Sequence, residues 1–581
     1  MRWLRLPNAG PGRIAWIVLF TTILCLKFLA IFHYRVDTDE TQHAHVVWAW
    51  THGLLPYRDV FDNHMPLFQW ACAPLFRLFG EHAYILVQFR FVMLLLYLVC
   101  IWGVFKLADA LFPQPLAPWA ALCAAALPKF FYTSTEFRTD DLWAVFWLLS
   151  LVIALTGNFT LKRAFAFSLL IGLAFAVSLK TVLLVASIGI ATAVALGLAM
   201  SLGRESIPWK RIPLYLIVIL CGLSIIPAAI VSYFAAKGAF WIMYYCVLQH
   251  NIVPGLRTWR TLRLGPWIFP ISVPFLVGLG VLAYRQTPDR GTAIRRAILV
   301  MTPCIYAALL FSYWREITRE DDLPYVPLLP LVAIPLILWL QQVLKNPRYQ
   351  SWLLFPGLPA ICAMEILCVW QANPLRTNRV QGTTHTIEDV LLLSKPGDYV
   401  MDNKGDYIFR PRPFYWVLEP VTQARFRQGL IKDNLGACLV RTKTRLSYFY
   451  SEHSEPQSAL FITMNYMPFD LDALDLGVAA RQLGKPSADG TFSFDVAIPL
   501  TYAIVSESGD TAGILDGAPY AGPVLLQAGH HTFRRTSGTG RAAFFLADAL
   551  SLGFRPLFDQ ADRILDQEQR RIHKVAGKTA D

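Results

Sequence analysis

Asp39 and Glu40 stand side by side in the run Arg35-Val-Asp-Thr-Asp-Glu-Thr-Gln-His-Ala-His45. His43 and His45 follow about one helical turn further on. The run comes directly after an apolar stretch at 14–32, long enough to cross a bilayer. Charge at a membrane edge is costly, so acids placed there point to function. Two carboxylates and two imidazoles can move a proton, or hold a metal ion that activates a hydroxyl. The run also suits a plain helix start, with Asp39 as N-cap and Glu40 in the first turn.

Three further polar groups have the same character. Tyr57-Arg58-Asp59 and Asp62-Asn63-His64-Met65-Pro66 lie in the same loop. Arg138-Thr139-Asp140-Asp141 opens a later apolar stretch. Arg315-Glu316 is followed by Arg319-Glu320-Asp321-Asp322, then by Tyr325, Pro327 and Pro330. Ordinary loop charge accounts for Asp59, Glu316 and Glu320. It does not account for Asp140 and Asp141, which sit where a helix enters the membrane. Lys180 is flanked by apolar residues on both sides, and its bland explanation is snorkelling to the interface. Carboxylates beside Arg, Lys and His can bind a phosphate and activate a hydroxyl in one cleft.

The elements that must position these residues are membrane helices. Of the 581 residues, 55% are hydrophobic and 16% are charged, against about 25% charged in soluble domains. Apolar stretches near 14–32, 83–105, 116–133, 140–157, 164–179, 182–200, 212–235, 267–284, 297–313, 324–343 and 351–370 predict about 11 transmembrane helices. The first is read as a retained span. The net charge of +12 is spread over loops rather than gathered in a patch, so no nucleic-acid partner is expected. Ten cysteines show no CxxC or zinc spacing, and most fall within the expected spans.

Loop charge sets an orientation. Arg2, Arg5, Arg13, Lys162, Arg163, Arg204, Lys210, Arg211, Arg285, Arg290, Arg295, Arg296, Lys345 and Arg348 fall on one side, and the acidic groups fall on the other. This predicts a cytoplasmic N-terminus and acidic loops outside, with the tail from about 371 outside as well. The tail divides into an α/β region at 371–485 and a β-rich region at 486–581 that ends in a helix at 556–575. Asp398-Tyr-Val-Met-Asp402 and Ala459-Leu-Phe-Ile-Thr-Met464 read as short alternating runs, and 384–394 and 420–433 as helices. Strand signals between 490 and 546, with Asp516-Gly517 as a hairpin turn, predict a small β-sandwich.

Several motifs carry a family resemblance. Asp39-Glu40 after the first span, Gly53-Leu-Leu-Pro-Tyr-Arg-Asp59 and His64-Met-Pro-Leu67 resemble the first extracytoplasmic loop of GT-C glycosyltransferases. The nearest groups are the protein O-mannosyltransferase-like enzymes and the aminoarabinose transferase of lipid A. Arg138-Thr-Asp140 resembles their Arg-Pro-Asp element, and Tyr325-Val-Pro-Leu-Leu-Pro330 their late Tyr-Leu-Leu-Pro-Leu-x-Pro signature. The resemblance covers residues 14–370. It implies a polyprenyl-phosphate-linked sugar donor used on the periplasmic face of a bacterial inner membrane. Asp39 matches the first-loop catalytic carboxylate, Glu40 the acid that commonly follows it, and Asp140 the second carboxylate. His64 stands where relatives often have Lys before a Pro-Pro-Leu run, and Met65 replaces the first proline.

The expectation is thus a polytopic α-helical membrane protein of GT-C-like fold, residues 1–370, with an extracytoplasmic α/β plus β-sandwich region. It is expected to be an inverting glycosyltransferase acting on a lipid, envelope glycan or protein hydroxyl. Asp39, Glu40 and Asp140 are the expected catalytic residues. Arg138, Lys180, Arg315, Arg319 and His64, or a divalent cation such as Mg or Mn, would bind the donor phosphate. His43, Tyr57, Arg58, Asp141, Asp322 and Tyr325 would contact substrate. Two alternatives from other classes are a transporter or flippase of lipid-linked sugars and a non-catalytic glycan-binding scaffold. A transporter predicts matching halves with midplane charge; the sequence shows no such symmetry, and its acids cluster outside the spans.

Overall fold

A computed structural model describes residues 10–113, 116–201, 209–252, 265–313, 319–344, 355–371, 376–449, 454–473 and 475–578. The chain opens with helix α1, Pro11–His33. Two short helices follow in the first loop, α2 at Thr38–Thr51 and α3 at Leu67–Phe79. Helix α4, Ile85–Leu111, returns through the bundle. Asp37 is the N-cap of α2: its side chain accepts from Asp39 N–H, while Glu40 reaches back to the Asp37 N–H in a capping box. The cap is therefore Asp37 and not Asp39, because the carboxylate two residues earlier reaches the free N–H groups of the first turn.

Glu40 is fully buried against Arg90 of α4 at 2.6 Å. Arg90 also donates to the carbonyls of Ile31, Tyr34 and Arg35, so α1, α2 and α4 meet at one guanidinium. A charge within a membrane helix is tolerated when it faces inward and is satisfied. Lys27 of α1 follows the same rule, donating to the Phe131 carbonyl and the Ser134 and Thr135 hydroxyls.

The expected span at 116–133 is two helices, α5 at Leu116–Ala126 and α6 at Pro128–Thr133. Pro128 has no N–H to continue the first helix and starts the second. The next spans are α7 at Thr139–Leu155, α8 at Leu161–Val177, α9 at Thr181–Ser201 and α10 at Ile212–Ala236. A β-carbon on Gly222 of α10 would lie 2.9 Å from the Phe165 carbonyl of α8, so glycine lets these helices touch. Helix α11, Phe240–Tyr244, runs into a π-helical turn at Tyr245–Gln249. Helices α12, Gly265–Arg285, α13, Arg290–Tyr313, α14, Leu329–Val343, and α15, Gly357–Gln371, complete the membrane part. Helix occupies each of the eleven expected stretches. Among the described residues, seven helices are long and apolar enough by themselves to cross a membrane. Leu214, Leu216, Ile217 and Leu220 of α10 are exposed, as a lipid-facing surface requires.

The tail begins with α16, Gln381–Leu393. Strand β1, Val400–Met401, is followed by α17, Pro420–Arg427, α18, Leu435–Arg441, and β2, Leu446–Tyr448. The expected helix at 420–433 stops at Arg427, and Gly429 adopts φ +68° just beyond it. The alternating run 459–464 lies in a helix, α19 at Pro456–Asn465. Pro456 starts that helix, and Ala459 and Ile462 share its buried face.

Strands β3, Tyr466–Pro468, and β4, Leu476–Gln482, join a sheet that continues with β6, Leu500–Ser506, β10, Val524–Leu526, and β12, Ala542–Leu546. Its order is β1-β2-β4-β12-β6-β10, with β3 beside β4 and β7, Gly509–Asp510, beside β6. A second sheet runs β5-β11-β8-β9, from Thr491–Val496, Gly529–Arg535, Gly513–Leu515 and Ala518–Tyr520. Phe492, Phe494 and Phe533 of the second sheet pack on Tyr502, Ile504 and Phe544 of the first, forming the expected sandwich. Asp516 and Gly517 both have positive φ, +49° and +84°, as a two-residue hairpin between β8 and β9 demands. The antiparallel pairing of β4 with β12 carries one sheet across the expected division at residue 485. Helix α20, Ala547–Ser551, and the long α21, Phe558–Lys578, end the chain.

Tail and membrane part share a core. Ile387, Ile408 and Phe409 are buried in the same apolar cluster as α1, α4 and α5, and Val417 is buried with Leu55, Tyr57 and Phe234.

Candidate active site

Asp39 occupies the first turn of α2, fixed by the capping box. Its two carboxylate oxygens meet two cations: Arg138 at 2.6 Å and Lys404 at 2.7 Å. Arg138 ends the segment before α7 and also pairs with Asp37 at 3.0 Å and Asp140 at 3.4 Å. Lys404 comes from the tail and also meets Glu419 at 3.4 Å. Asp39 is 21% exposed and Lys404 18%, so the site is enclosed but reachable.

The tail reaches Asp39 through a self-braced turn. Asp402 accepts from the N–H groups of Gly405 and Tyr407, Asp406 accepts from the N–H of Asn403, and Arg412 grips Asp402 at 2.7 Å. Gly405 has φ +103°, and a β-carbon there would lie 2.7 Å from His45 Cβ. Glycine is what permits this approach to α2. His45 Nδ1 lies 2.7 Å from the Ile408 carbonyl, which makes Nδ1 the donor. Thr41 donates to Asp406 at 3.2 Å.

Electrostatics follow from this packing. Burial pushes the Asp39 carboxyl up, but Arg138 and then Lys404 outweigh burial and hold it well below the usual carboxylate range. Burial works against the Lys404 ammonium, yet Asp39 and Glu419 keep its pKa above the ordinary lysine value. Burial followed by the charges of His64 and Arg138 keeps His43 well below the usual imidazole value, so it is neutral. His43 Nδ1 faces Gln69 at 3.3 Å, and its Nε2 has no hydrogen-bond partner among the described residues.

The expected site residues separate into groups. Asp39, Arg138 and Asp140 come together, with His43 one turn along α2. Asp141 is buried beside Asp140, with one oxygen lacking a hydrogen-bond partner among the described residues. Glu40 points away from this cluster, to Arg90 and to the Phe137 N–H at 2.9 Å; through Phe137 it sets the segment that carries Arg138. His64 pairs with Asp62 at 2.9 Å and sits edge-on to His43 with ring centres 4.6 Å apart. Tyr57 is fully buried and donates to the His64 carbonyl at 2.7 Å, bracing the loop. Arg58 turns outward onto Asp59 at 2.8 Å. Lys180 pairs with buried Asp321 at 2.5 Å; Asp322 takes Lys129 at 3.0 Å and the Tyr325 hydroxyl at 2.9 Å. The Tyr306 hydroxyl donates to the Asp321 carbonyl, which ties this second group to the helix at Arg290–Tyr313. Arg315 and the side chain of Arg319 lie outside the described residues.

Lys404, Glu419 and Asp37 were not among the expected site residues. The signal available was the dense run Asp402-Asn-Lys-Gly-Asp406, a lysine set between turn-forming residues. A divalent cation was the expected alternative to basic side chains at the phosphate position. Around Asp39 the carboxylates are already paired with Arg138 and Lys404. Among the described residues, His385, Asp470 and Asp472, in the tail, are the group whose side-chain N and O atoms lie close enough together to hold one ion.

Residues 63–230 match the family model described as dolichyl-phosphate-mannose-protein mannosyltransferase; the segment includes Arg138, Asp140 and Lys180. No curated protein sequence matches the chain. The structure of ArnT from Cupriavidus metallidurans in the apo state aligns with a TM-score of 0.54 at 15% identity, over 80% of this chain and 98% of ArnT. The same protein bound to undecaprenyl phosphate aligns with a TM-score of 0.51 at 14% identity, over 76% of this chain and 94% of ArnT. At this identity the likeness is one of fold. Together the fold and the match over residues 63–230 agree with the resemblance read from the motifs: this chain is a polytopic membrane protein with an ArnT-like, GT-C-like fold.

Proposed function

We propose that the protein is an inverting glycosyltransferase of a bacterial inner membrane that uses a polyprenyl-phosphate-linked sugar. The observation that carries this reading is Asp39 held between Arg138 and Lys404 where the membrane helices meet the tail. One group can take a proton, and two can take an anion. The acceptor hydroxyl attacks the anomeric carbon, the bond from that carbon to the phosphate oxygen breaks, and polyprenyl phosphate leaves. Asp39 receives the hydroxyl proton. Arg138 and Lys404 stabilise the phosphate as its charge develops. They also keep Asp39 a weak base until a donor phosphate draws them away, which ties basicity to substrate arrival.

Asp140 orients Arg138 at 3.4 Å. Neutral His43, with Nε2 unpartnered among the described residues, offers a hydrogen bond to a sugar hydroxyl. Lys180, which pairs with Asp321, and Asp322 and Tyr325, which pair with each other, are the further groups offered to the donor. The acceptor is a hydroxyl on a lipid, an envelope glycan or a protein, and the chemistry takes place on the extracytoplasmic side.

Purified protein supplied with radiolabelled polyprenyl-phosphate sugar and acceptor-bearing membranes tests the proposal. Wild type should release polyprenyl phosphate and label the acceptor. Asp39→Asn keeps the volume but not the basicity, and should lose about 10²–10⁴ in rate. Wild-type turnover in both Asp39→Asn and Asp140→Asn would remove the transferase reading and leave the transporter and scaffold alternatives.

A further inference from the structure

His385 and Asp389 lie four residues apart on one face of α16, the first helix of the tail. Asp470 and Asp472 lie in the turn between β3 and β4. His385 Nε2 is 2.9 Å from Asp470 Oδ2 and 4.0 Å from Asp389 Oδ2. Ligand atoms of His385, Asp470 and Asp472 all fall within 4.8 Å of one another.

Asp389 is the telling member. It is 4% exposed, and its Oδ2 has no hydrogen-bond partner among the described residues although it faces His385. Three carboxylates converge there, and none of them is paired with Lys or Arg among the described residues. A buried, unpartnered carboxylate oxygen beside two further acids is costly unless a cation or a shared proton joins them. Asp470 already spends its Oδ1 on the Asp472 N–H at 2.8 Å, which leaves Oδ2 directed at the imidazole.

We infer that His385, Asp389, Asp470 and Asp472 form a binding site for a single divalent transition-series cation, which staples α16 to the β3–β4 turn. One imidazole with carboxylates suits zinc or manganese better than magnesium or calcium. Asp472 is exposed, so water can complete the coordination. The staple has a mechanical target. Ile387 of α16 is buried in the core of the membrane part, while Val390 and Leu393 are buried against the tail sheet. A cation here fixes the helix that joins the two.

The test uses the full chain in detergent, stripped with a chelator, and zinc alone as the probe. Titration calorimetry should show one equivalent bound at micromolar affinity or tighter, and zinc should raise the melting temperature by several degrees. Asp389→Asn and Asp470→Asn should each weaken binding by at least the ten- to hundredfold that losing an outer partner of a metal ligand costs, at roughly that scale, and should abolish the thermal shift. If Asp389→Asn fails to fold, Asp472→Asn, at an exposed position, should still weaken binding about tenfold or more. Magnesium at equal concentration should leave the melting temperature unmoved. No heat with zinc, binding unchanged in the variants, or full competition by magnesium would overturn the site. So would Asp389→Asn raising the metal-free melting temperature to the zinc-bound value, the signature of two carboxylates sharing a proton. None of these readings depends on transferase activity.

Discussion

Lys404 Nζ lies 2.7 Å from Asp39 Oδ1, although the two are 365 residues apart in the chain. The tail therefore completes the candidate site rather than covering it. Lys404→Gln should keep the turn at 402–406, which is braced by Asp402, Asp406 and Arg412 and not by Lys404. It should lose about 10²–10³ in kcat/KM for the lipid-linked donor, the scale of removing one charge-stabilising donor. Lys404→Arg should recover part of the loss. Steady-state kinetics on purified variants decide this, and unaltered kcat/KM in Lys404→Gln would take Lys404 out of phosphate binding.

Glu40 should behave unlike its neighbour. Its partner Arg90 and Glu40 itself have no exposed side-chain surface. Removing one member of such a pair strands the other and costs about 3–5 kcal/mol. Glu40→Ala and Arg90→Ala should both fall in melting temperature and yield, whereas Asp39→Asn should fall less, because Arg138 keeps Asp37 and Asp140 and Lys404 keeps Glu419. Thermal unfolding of the three variants side by side separates the positioning role from the chemical one.

A pH effect follows from Asp406. Burial, and then the charge of Asp402, push its carboxyl up to about 7. Its unfolded value is about 3.9. The folded state thus holds the extra proton between about pH 4 and 7, and its stabilising contribution is complete below about 4 and lost as pH rises through about 7. Asp406→Asn has no such proton to lose. The melting temperature of wild type minus that of Asp406→Asn should fall from pH 5 to pH 8. A flat difference would place the Asp406 titration elsewhere.

Arg58 and Asp59 provide the contrast. Their ion pair turns to solvent, with Arg58 side chain 54% exposed. Arg58→Ala should leave turnover within about twofold of wild type, since surface positions away from a site are close to neutral. A tenfold loss would return Arg58 to the substrate.

Orientation is tested by fusion. A reporter active only outside the cytoplasm, joined after residue 380, should be active if the basic loops face inward. An inactive but well-expressed fusion would reverse the topology.

The helices of the membrane part were legible because long apolar runs have few alternatives. The break at Pro128 was legible in principle, but an apolar run on both sides hid it. The run 459–464 misled because a six-residue alternation also fits a helix whose buried residues are three apart, as Ala459 and Ile462 are. Asp39, Arg138 and Asp140 carried a signal in their place at helix entries. Glu40 carried the same signal, yet its direction depends on Arg90, fifty residues on, whose inward face no local pattern announces. Lys404 was harder still, since its contact with Asp39 exists only through tertiary docking of the tail.

That docking has a consequence for how such proteins can be recombined. Ile408 and Phe409 sit in the apolar core of the membrane part, two residues beyond the turn that carries Lys404. The segment that delivers the charge is also the segment that glues the halves together. A chimera joining this membrane part to another chain's tail would need matching shape at Ile408 and Phe409 before any exchanged lysine could reach Asp39. An exchanged tail is therefore expected to restore the Asp39 contact only when its docking residues are exchanged with it.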